Sequence, residues 1–333
     1  MRGSIRGFAL TELLYPPLPS EEIAVSTAAL GMGEKPLTPA RLAWRRFRRH
    51  KLAMVSAVVL LIITFMCVFA PLFTKYHPNT QIRSDGVLQA FLHPQHGHWF
   101  GTNDKARDMW ANVLYGGRIS LEVGFVVAIT TTLVGTVVGV VAGYYGGWLD
   151  NLLMRVTDLF IAIPFLIGTI LLSRLPSTQG WAKTIMGPAQ SVRAVIFVIG
   201  VFFWMPVARI IRGIVLSLKE KEFVEAARAA GASDFRIMFR HLVPNCTGQI
   251  IINTTLAVAA AILTESALSF LGFGVEAIFT PTWGNLLSNS QDLLDSYPYL
   301  VWAPGLAIVI TVLCVNFIGD GLRDALDPKQ LSV

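Results

Sequence analysis

Charged residues are scarce in this sequence, and that scarcity restricts the class of protein it can encode. Only 14% of the 333 residues are charged, whereas 53% are hydrophobic. A soluble domain typically carries roughly 25% charged residues. No long polar stretch interrupts the apolar segments that follow Leu52. The composition therefore excludes an ordinary soluble protein and predicts a single membrane domain.

Cysteines and catalytic motifs are also few. The three cysteines, Cys67, Cys246 and Cys314, are widely separated, so they predict neither a disulfide framework nor a metal site. The sequence contains no Walker A pattern and no His-Glu-x-x-His pair, the motifs of ATP hydrolysis and of zinc proteases. We therefore expect a chain that is not an enzyme and that binds no metal or cofactor of its own.

Positive charge is concentrated at the beginning of the chain. The formal net charge is +6, and nine of the 27 Lys and Arg lie in residues 1–51. The basic run from Arg45 to Lys51 directly precedes an apolar stretch, as the positive-inside rule expects of a cytoplasmic segment. We expect membrane lipid, not nucleic acid, as the partner of these cations. Residues 1–40 lack a secretory pattern and predict a disordered cytoplasmic tail.

Six apolar stretches predict six transmembrane helices. The first, Leu52 to Thr74, has 23 uncharged residues, and about 20 suffice to cross the hydrocarbon layer. The second carries Gly135, Gly139 and Gly143 on one helix face, which predicts close packing against another helix. The predicted spans lie within residues 52–74, 123–149, 155–174, 193–209, 241–274 and 296–319. The fold class is an all-α integral membrane protein.

The distribution of Lys and Arg predicts the orientation. Residues 209–245 carry seven of them, whereas residues 275–295 carry none and the longer loop 75–118 carries five. Because cytoplasmic loops are enriched in Lys and Arg, we place both termini and the 209–245 loop in the cytoplasm.

That basic loop contains the most informative stretch of the chain. Residues Lys221 to Ala230 are rich in Ala, Glu and Arg, which favour a helix. Gly231 is expected to end this helix, and Ser233 or Asp234 to cap a second short one. Pro244 is expected to mark the beginning of the fifth span.

The two short helices could serve either of two purposes. They could dock a cytoplasmic partner, or form an amphipathic hairpin that rests on lipid headgroups with the help of Arg236 and Arg240. Glu225 and Arg228 lie on one helical face and could pair with each other or with partner charges. In either case the expected apolar anchors are Phe235, Ile237, Met238 and Phe239.

The spacing of Glu225-Ala226-Ala227, Gly231, His241 and Pro244 resembles the permease signature of ABC importers. Four further segments are similar to the C-type permeases for dipeptides, oligopeptides and nickel: residues 100–121, 265–272, 281–285 and 316–328. The resemblance covers about residues 40–328. Asn103 and Ala106 depart from it, because Asp and Gly are expected at these positions.

This resemblance implies an architecture and a set of partners. It implies a type I importer permease, with a basic segment, first span and external loop over residues 41–118, a core domain over 119–328 and a tail over 329–333. The partners implied are a second, B-type permease as heterodimer, two ATP-binding subunits that hold ATP and Mg, and an extracytoplasmic substrate-binding protein. The location implied is the bacterial inner membrane.

The resemblance also implies a site. The loop would insert into a groove on the ATPase subunit and couple ATP-driven closure to alternating access. The residues expected to do so are Glu225, Ala226, Ala227, Arg228, Gly231, Ser233, Asp234, Phe235, Met238, His241 and Pro244.

Polar residues within the spans are candidates for lining the translocation path. An ionisable group such as Glu265 is costly in a membrane and usually faces a cavity or a partner. The alternative for Glu265, favoured more strongly for Asp158, is a structural hydrogen bond. The path candidates are Asn253, Glu265, Ser269 and Asn316, and the two asparagines could equally bind neighbouring helices.

The cargo is left open by the sequence. Dipeptides or short oligopeptides are the leading expectation, and nickel or another small solute is the alternative. His93, His96 and His98 suggest a metal, but the turn residues Pro94 and Gly97 and the lack of neighbouring Cys or carboxylate ligands argue against it. A secondary transporter or channel acting without an ATPase is the alternative from another class, although the spans offer few ionisable groups.

Overall fold

The structure is a computed structural model that describes residues 39–175, 180–186, 188, 191–276 and 281–326. The predicted tail, residues 1–40, lies outside the described residues except at its last two positions. The C-terminal tail, residues 329–333, lies outside them entirely. Contacts divide the chain after Arg45, and the unit that follows contains every apolar span.

Helices make up most of the described residues. They are α1 Pro39–Arg49, α2 Lys51–Val68, α3 Ala70–Phe73, α4 Met109–Tyr145, α5 Gly147–Ala162, α6 Phe165–Ser173, α7 Gly180–Met186, α8 Val192–Leu218, α9 Glu222–Ala229, α10 Asp234–Arg236, α11 Val243–Phe270, α12 Trp283–Ser290 and α13 Tyr299–Leu326. A π-helix, Ile237–Leu242, joins α10 to α11, and a 3-10 turn, Gln291–Leu293, follows α12. The sheet pairs β1, Arg83–Ser84, antiparallel with β2, Val87–Leu88.

Five helices are long and apolar enough to cross a membrane, and α5 with α6 provides a sixth span if the bent pair is counted as one. The predicted third span is therefore not one straight helix, because α5 and α6 meet at 87°. Pro164 causes the break. A proline disfavours helical torsion angles in the residue before it, and Ile163 is extended, with φ −78° and ψ 123°.

The second span begins earlier than its hydropathy predicts. Helix α4 starts at Met109, not Val123, because Asp108 caps it by accepting a hydrogen bond from the Ala111 N–H at 2.8 Å. Its first turns carry the exposed charges of Arg118 and Glu122, which lower the hydropathy without interrupting the helix.

Glycine packing in α4 is confirmed, and its partner is α8. A Cβ atom at Gly135 would lie 2.6 Å from the Trp204 carbonyl oxygen, and one at Gly139 only 2.5 Å from that of Ala208. Since such distances leave no room for a side chain, the glycines allow the two backbones to approach directly. This contact makes α4 and α8 the central pair of the fold.

The segment between α3 and α4 contains Asn103 and Ala106, the two residues that depart from the resemblance. Ala106 has φ +56°, a left-handed conformation that favours glycine. The Asn103 side-chain oxygen accepts hydrogen bonds from the N–H groups of Lys105 and Arg107 at 3.1 and 2.9 Å. An aspartate would accept the same bonds, so Asn103 preserves the turn.

Candidate coupling site

Helix α9 ends in a Schellman motif centred on Gly231. The Ala232 N–H donates to the Ala227 carbonyl, and the Gly231 N–H to that of Arg228, both at 3.0 Å. Gly231 itself has φ +77°, a left-handed conformation that glycine adopts without strain and that most residues with a β-carbon avoid. The predicted helix and its glycine stop are therefore confirmed to within one residue at each end.

The chain then turns into α10, which two side chains position. Ser233 caps the helix by accepting a hydrogen bond from the Arg236 N–H. The Tyr144 hydroxyl, at the end of α4, donates to the Asp234 carboxylate at 2.6 Å. Arg228 also lies within hydrogen-bonding reach of this hydroxyl. Tyr144 thus connects both short helices to the second span.

The prediction that the fifth span begins at Pro244 is wrong. Residues Asp234–Phe270 form one helical span of 37 residues, so the second short helix is the beginning of the span. In a regular α-helix the ring of Pro244 would clash with a carbonyl one turn earlier. The π-helix Ile237–Leu242 widens that turn, which accommodates the proline without breaking the helix.

A cluster of buried side chains anchors the loop between α8 and α11 to the neighbouring spans. Val224 in α9 and Ile237 and Leu242 in the π-helix are all 0% exposed. They belong to one core cluster with further residues of α4, α8, the π-helix and α11: Val140, Tyr144, Val207, Ile211, Val215, Met238 and Cys246. A force applied to α9 or α10 would therefore reach three spans through close-packed side chains.

The opposite side of the loop is exposed. Phe235 is 69% exposed, and its ring lies 4.6 Å from that of Phe239, which is 36% exposed. Of the four expected apolar anchors, Ile237 and Met238 are therefore buried within this chain, whereas Phe235 and Phe239 are exposed. The other predicted coupling residues are exposed at Glu225, Ala226, Arg228, Gly231, Ser233, Asp234 and Pro244, and half-buried at Ala227 and His241.

Met238 and Arg228 are placed differently from the other predicted coupling residues. Met238 is 5% exposed and contributes to the buried cluster, so it has no surface to offer a partner. No ion pair joins Glu225 to Arg228, both of which are described. Arg228 is directed to Tyr144 instead, while the Glu225 carboxylate is exposed to solvent.

The predicted path residues do not form a common lining. Glu265 is 0% exposed, and its carboxylate accepts hydrogen bonds from the hydroxyls of Ser120 at 3.0 Å and Ser269 at 2.7 Å. The Trp283 N–H donates to the same Ser120 hydroxyl at 3.3 Å. This geometry joins α4, α11 and α12 and favours the structural alternative for Glu265.

The remaining polar span residues also make local contacts. The Asn253 amide donates to the Gln249 carbonyl of its own helix at 2.7 Å. Asn316 is half-buried in α13. Asp158 pairs with Arg209 of α8, which confirms the structural interpretation preferred for it.

The three histidines between α3 and α4 are separated by their contacts. His98 is 9% exposed, and its Nδ1 lies 2.7 Å from the capping carboxylate of Asp108. His93 lies against the ring of Tyr299, with centroids 5.6 Å apart. In the described part of the chain, no cluster of three or more metal-ligating side chains includes any of them.

Sequence reasoning missed several of the residues that position the site. Val224 is the only residue of α9 that is fully buried among the described ones, and an isolated valine in an alanine-rich helix is a weak signal. Asp150 and Arg212 join α5 to α8 by two hydrogen bonds of 2.5 and 2.6 Å. Such a pair between distant segments has no local sequence pattern.

The structure has five helices long and apolar enough to cross a membrane and an exposed loop between two of them, as expected of an importer permease. Comparison with known families agrees. Residues 135–332 match the family described as the binding-protein-dependent transport system inner membrane component. Residues 38–94 match the N-terminal transmembrane domain of oligopeptide transport permease C.

Individual relatives extend the match over most of the chain. The oligopeptide transport system permease protein OppC of Bacillus subtilis is 37% identical over 94% of this chain and 98% of the relative. OppC of Escherichia coli is 40% identical over 86% and 90%. The dipeptide transport system permease protein DppC of Alkalihalophilus pseudofirmus is 38% identical over 89% and 92%. The chain belongs to the OppC/DppC family of ABC importer permeases.

A solved structure supports the fold. A chain of the inward-facing MetNI methionine ABC transporter aligns with a TM-score of 0.51 and 21% identity, covering 65% of this chain and 96% of that one.

Proposed function

We propose that this chain is the transmembrane permease subunit of an ATP-driven importer of dipeptides or short oligopeptides. In this proposal it forms half of the translocation path beside a second, B-type permease. Two further subunits bind ATP and Mg, and an extracytoplasmic binding protein delivers the substrate. The names of the relatives support a peptide cargo over nickel.

The coupling part of the proposal rests on one observation. The loop presents two exposed aromatic side chains, which we call its apex, and a cluster of buried side chains, its root, holds it against the spans. Phe235 and Phe239 present adjacent rings to the outside, while Val224 and Ile237 are fully buried. An exposed aromatic pair suits insertion into a groove of a partner protein. A close-packed root transmits the resulting displacement, because packed cores shift between discrete arrangements and do not deform continuously.

The proposed transmission follows two routes from the loop. One runs through Tyr144 and Val224 into α4 and α8. The other runs along the unbroken helix from Asp234 to Phe270, which begins in the loop and continues across the membrane. Both routes require the loop and both termini to be cytoplasmic, the orientation that the distribution of Lys and Arg favours.

Reconstitution tests the assignment as a whole. The chain, its co-encoded permease, ATPases and binding protein are placed in proteoliposomes, and uptake of a radiolabelled tripeptide is measured with and without ATP. We expect uptake that requires ATP, the binding protein and the ATPases. Peptide uptake by the chain alone would identify a secondary transporter or channel, and ATP-driven uptake of nickel without peptide would overturn the cargo.

The apex is tested separately by replacing Phe235 with Ser. Burying a phenylalanine at an interface is worth about 2 kcal/mol, so we expect roughly 30-fold weaker association with the ATPase in pull-down titrations. Leu88→Ser is the matched control, since Leu88 is an exposed apolar residue on the external hairpin. If the loop only rests on lipid headgroups, Phe235→Ser will leave the association unchanged.

A further inference from the structure

A crevice of about 410 Å³ opens on the surface of the chain between α4 and α8. None of the four predicted path residues lines it. Its walls are mostly apolar, and the polar side chains that line it are Thr130, Thr131 and Arg193. The residues used below are Thr130, Thr131, Arg193, Phe197, Gly200 and Trp204.

Arg193 places a positive charge at one end of this crevice. It is the second residue of α8 and is exposed. None of the ion pairs within the described ranges involves it. Gly200 lies seven residues further along the helix, about 10 Å deeper at 1.5 Å per residue. The crevice thus leads from a free cation at the beginning of the span towards the middle of the membrane.

The floor of the crevice is open and can accept hydrogen bonds. A β-carbon added at Gly200 would meet only the methyl group of Thr131, at 4.0 Å. The Thr130 hydroxyl, which is exposed, donates to the Val126 carbonyl one turn earlier, at 2.7 Å. Because that proton is already engaged, the Thr130 oxygen can offer lone pairs to an N–H donor. Thr131 is 2% exposed and contributes its methyl group.

We propose that this crevice is this chain's wall of the peptide path and that Arg193 binds the C-terminal carboxylate of the peptide. The proposal rests on the proposed function. A guanidinium binds a carboxylate through two parallel charge-assisted hydrogen bonds. Peptide N–H groups are donors of the kind that the Thr130 oxygen accepts. Phe197 and Trp204 contact the peptide side chains, and the second permease supplies the facing wall.

Phosphate groups of lipid headgroups could also pair with an arginine near the end of a span. The two sources differ in what controls their effect. A substrate contact depends on the charge at the peptide C-terminus, whereas a lipid contact depends on the composition of the membrane.

The test compares a tripeptide with its C-terminally amidated form in proteoliposomes that contain the complete transporter. Arg193→Gln is expected to lower uptake of the free-acid peptide about tenfold relative to wild type, the usual effect of losing one hydrogen-bonded charge. Uptake of the amide should change less than twofold. Because each peptide is normalised to its own wild-type rate, recognition by the binding protein cancels.

Matched variants define the contact. Arg193→Lys keeps the charge and should retain most of the discrimination. Lys183→Gln removes an exposed cation from α7 outside the crevice and should affect the two peptides equally. Gly200→Leu should fill the crevice and lower uptake of both peptides, more strongly for those with a bulky C-terminal side chain, whereas Gly200→Ala should be tolerated.

The outcomes separate this proposal from the function on which it rests. If the wild-type complex does not take up peptide with ATP, the proposed function fails. If wild type is active but Arg193→Gln lowers uptake of the free-acid and the amidated peptide equally, or lowers uptake of neither, the carboxylate contact is overturned. A defect that changes with the anionic-lipid content and not with the peptide terminus assigns Arg193 to the lipid. Normal uptake by Gly200→Leu overturns the crevice as the path.

Discussion

Gly231 combines a left-handed backbone, φ +77°, with open space around its α-carbon. A β-carbon here would have no atom of the described residues within 4 Å, so a substitution acts mainly through the backbone or through a partner. We predict that Gly231→Val, a β-branched residue poorly suited to positive φ, strains the turn by about 1–2 kcal/mol. The peptide-stimulated ATPase rate of the complex should fall about fivefold, with normal membrane insertion.

Gly231→Asn distinguishes the two causes, because asparagine tolerates the left-handed conformation. A near-normal rate for Asn with a defect for Val places the requirement in the turn. Equal defects place it in contact with the ATPase, and normal rates for both contradict a coupling role for this residue.

The sequence predicted Gly231 because helix stops depend on local conformation. It did not predict that Val224 is buried, because that burial depends on packing by three spans.

At the scale of elements, the bent α5–α6 pair is attached to α8 by ion pairs. The Asp150 side chain is 10% exposed, and its carboxylate binds Arg212 of α8 through two hydrogen bonds. Removing one member of a shielded pair leaves the other charge without its partner. We predict that Asp150→Asn lowers the stability of the purified chain by roughly 2 kcal/mol, measured as a lower unfolding temperature in detergent.

Asp158→Asn is the control, because Asp158 and Arg209 form an exposed pair and such pairs contribute about 0–1 kcal/mol. The double variant Asp150→Asn/Arg212→Gln should lose less stability than the sum of its single variants, since it leaves no uncompensated charge. Additive losses would show that the two side chains are not coupled.

Long uncharged apolar stretches predict five of the spans, but they say less about where a side-chain cap or a proline changes the backbone. The bend at Pro164 and the unbroken helix through Pro244 both involve proline, yet one ends a helix and the other does not. The difference lies in the π-helix Ile237–Leu242, which depends on how Leu242 and its neighbours pack. The polar start of α4 depends in the same way on a single cap, Asp108.

For the whole molecule, the number of crossings determines whether the loop can meet an ATPase. Between the external hairpin and the loop after α8 lie α4, the α5–α6 pair and α8. If the bent pair crosses the membrane, three crossings separate the two positions and they face opposite sides. If the pair returns to the side from which it entered, only two crossings remain and both positions face the same side.

Impermeant thiol labelling resolves this difference. We predict that Val87→Cys in β2 reacts in intact cells, whereas Glu220→Cys before α9 reacts only after the membrane is opened. Both positions are exposed, and the native Cys67, Cys246 and Cys314 are buried, so background labelling should be low. Equal labelling of both variants in intact cells would make the α5–α6 pair re-entrant. It would also place the loop on the external side, where ATP-driven coupling through Phe235 is impossible.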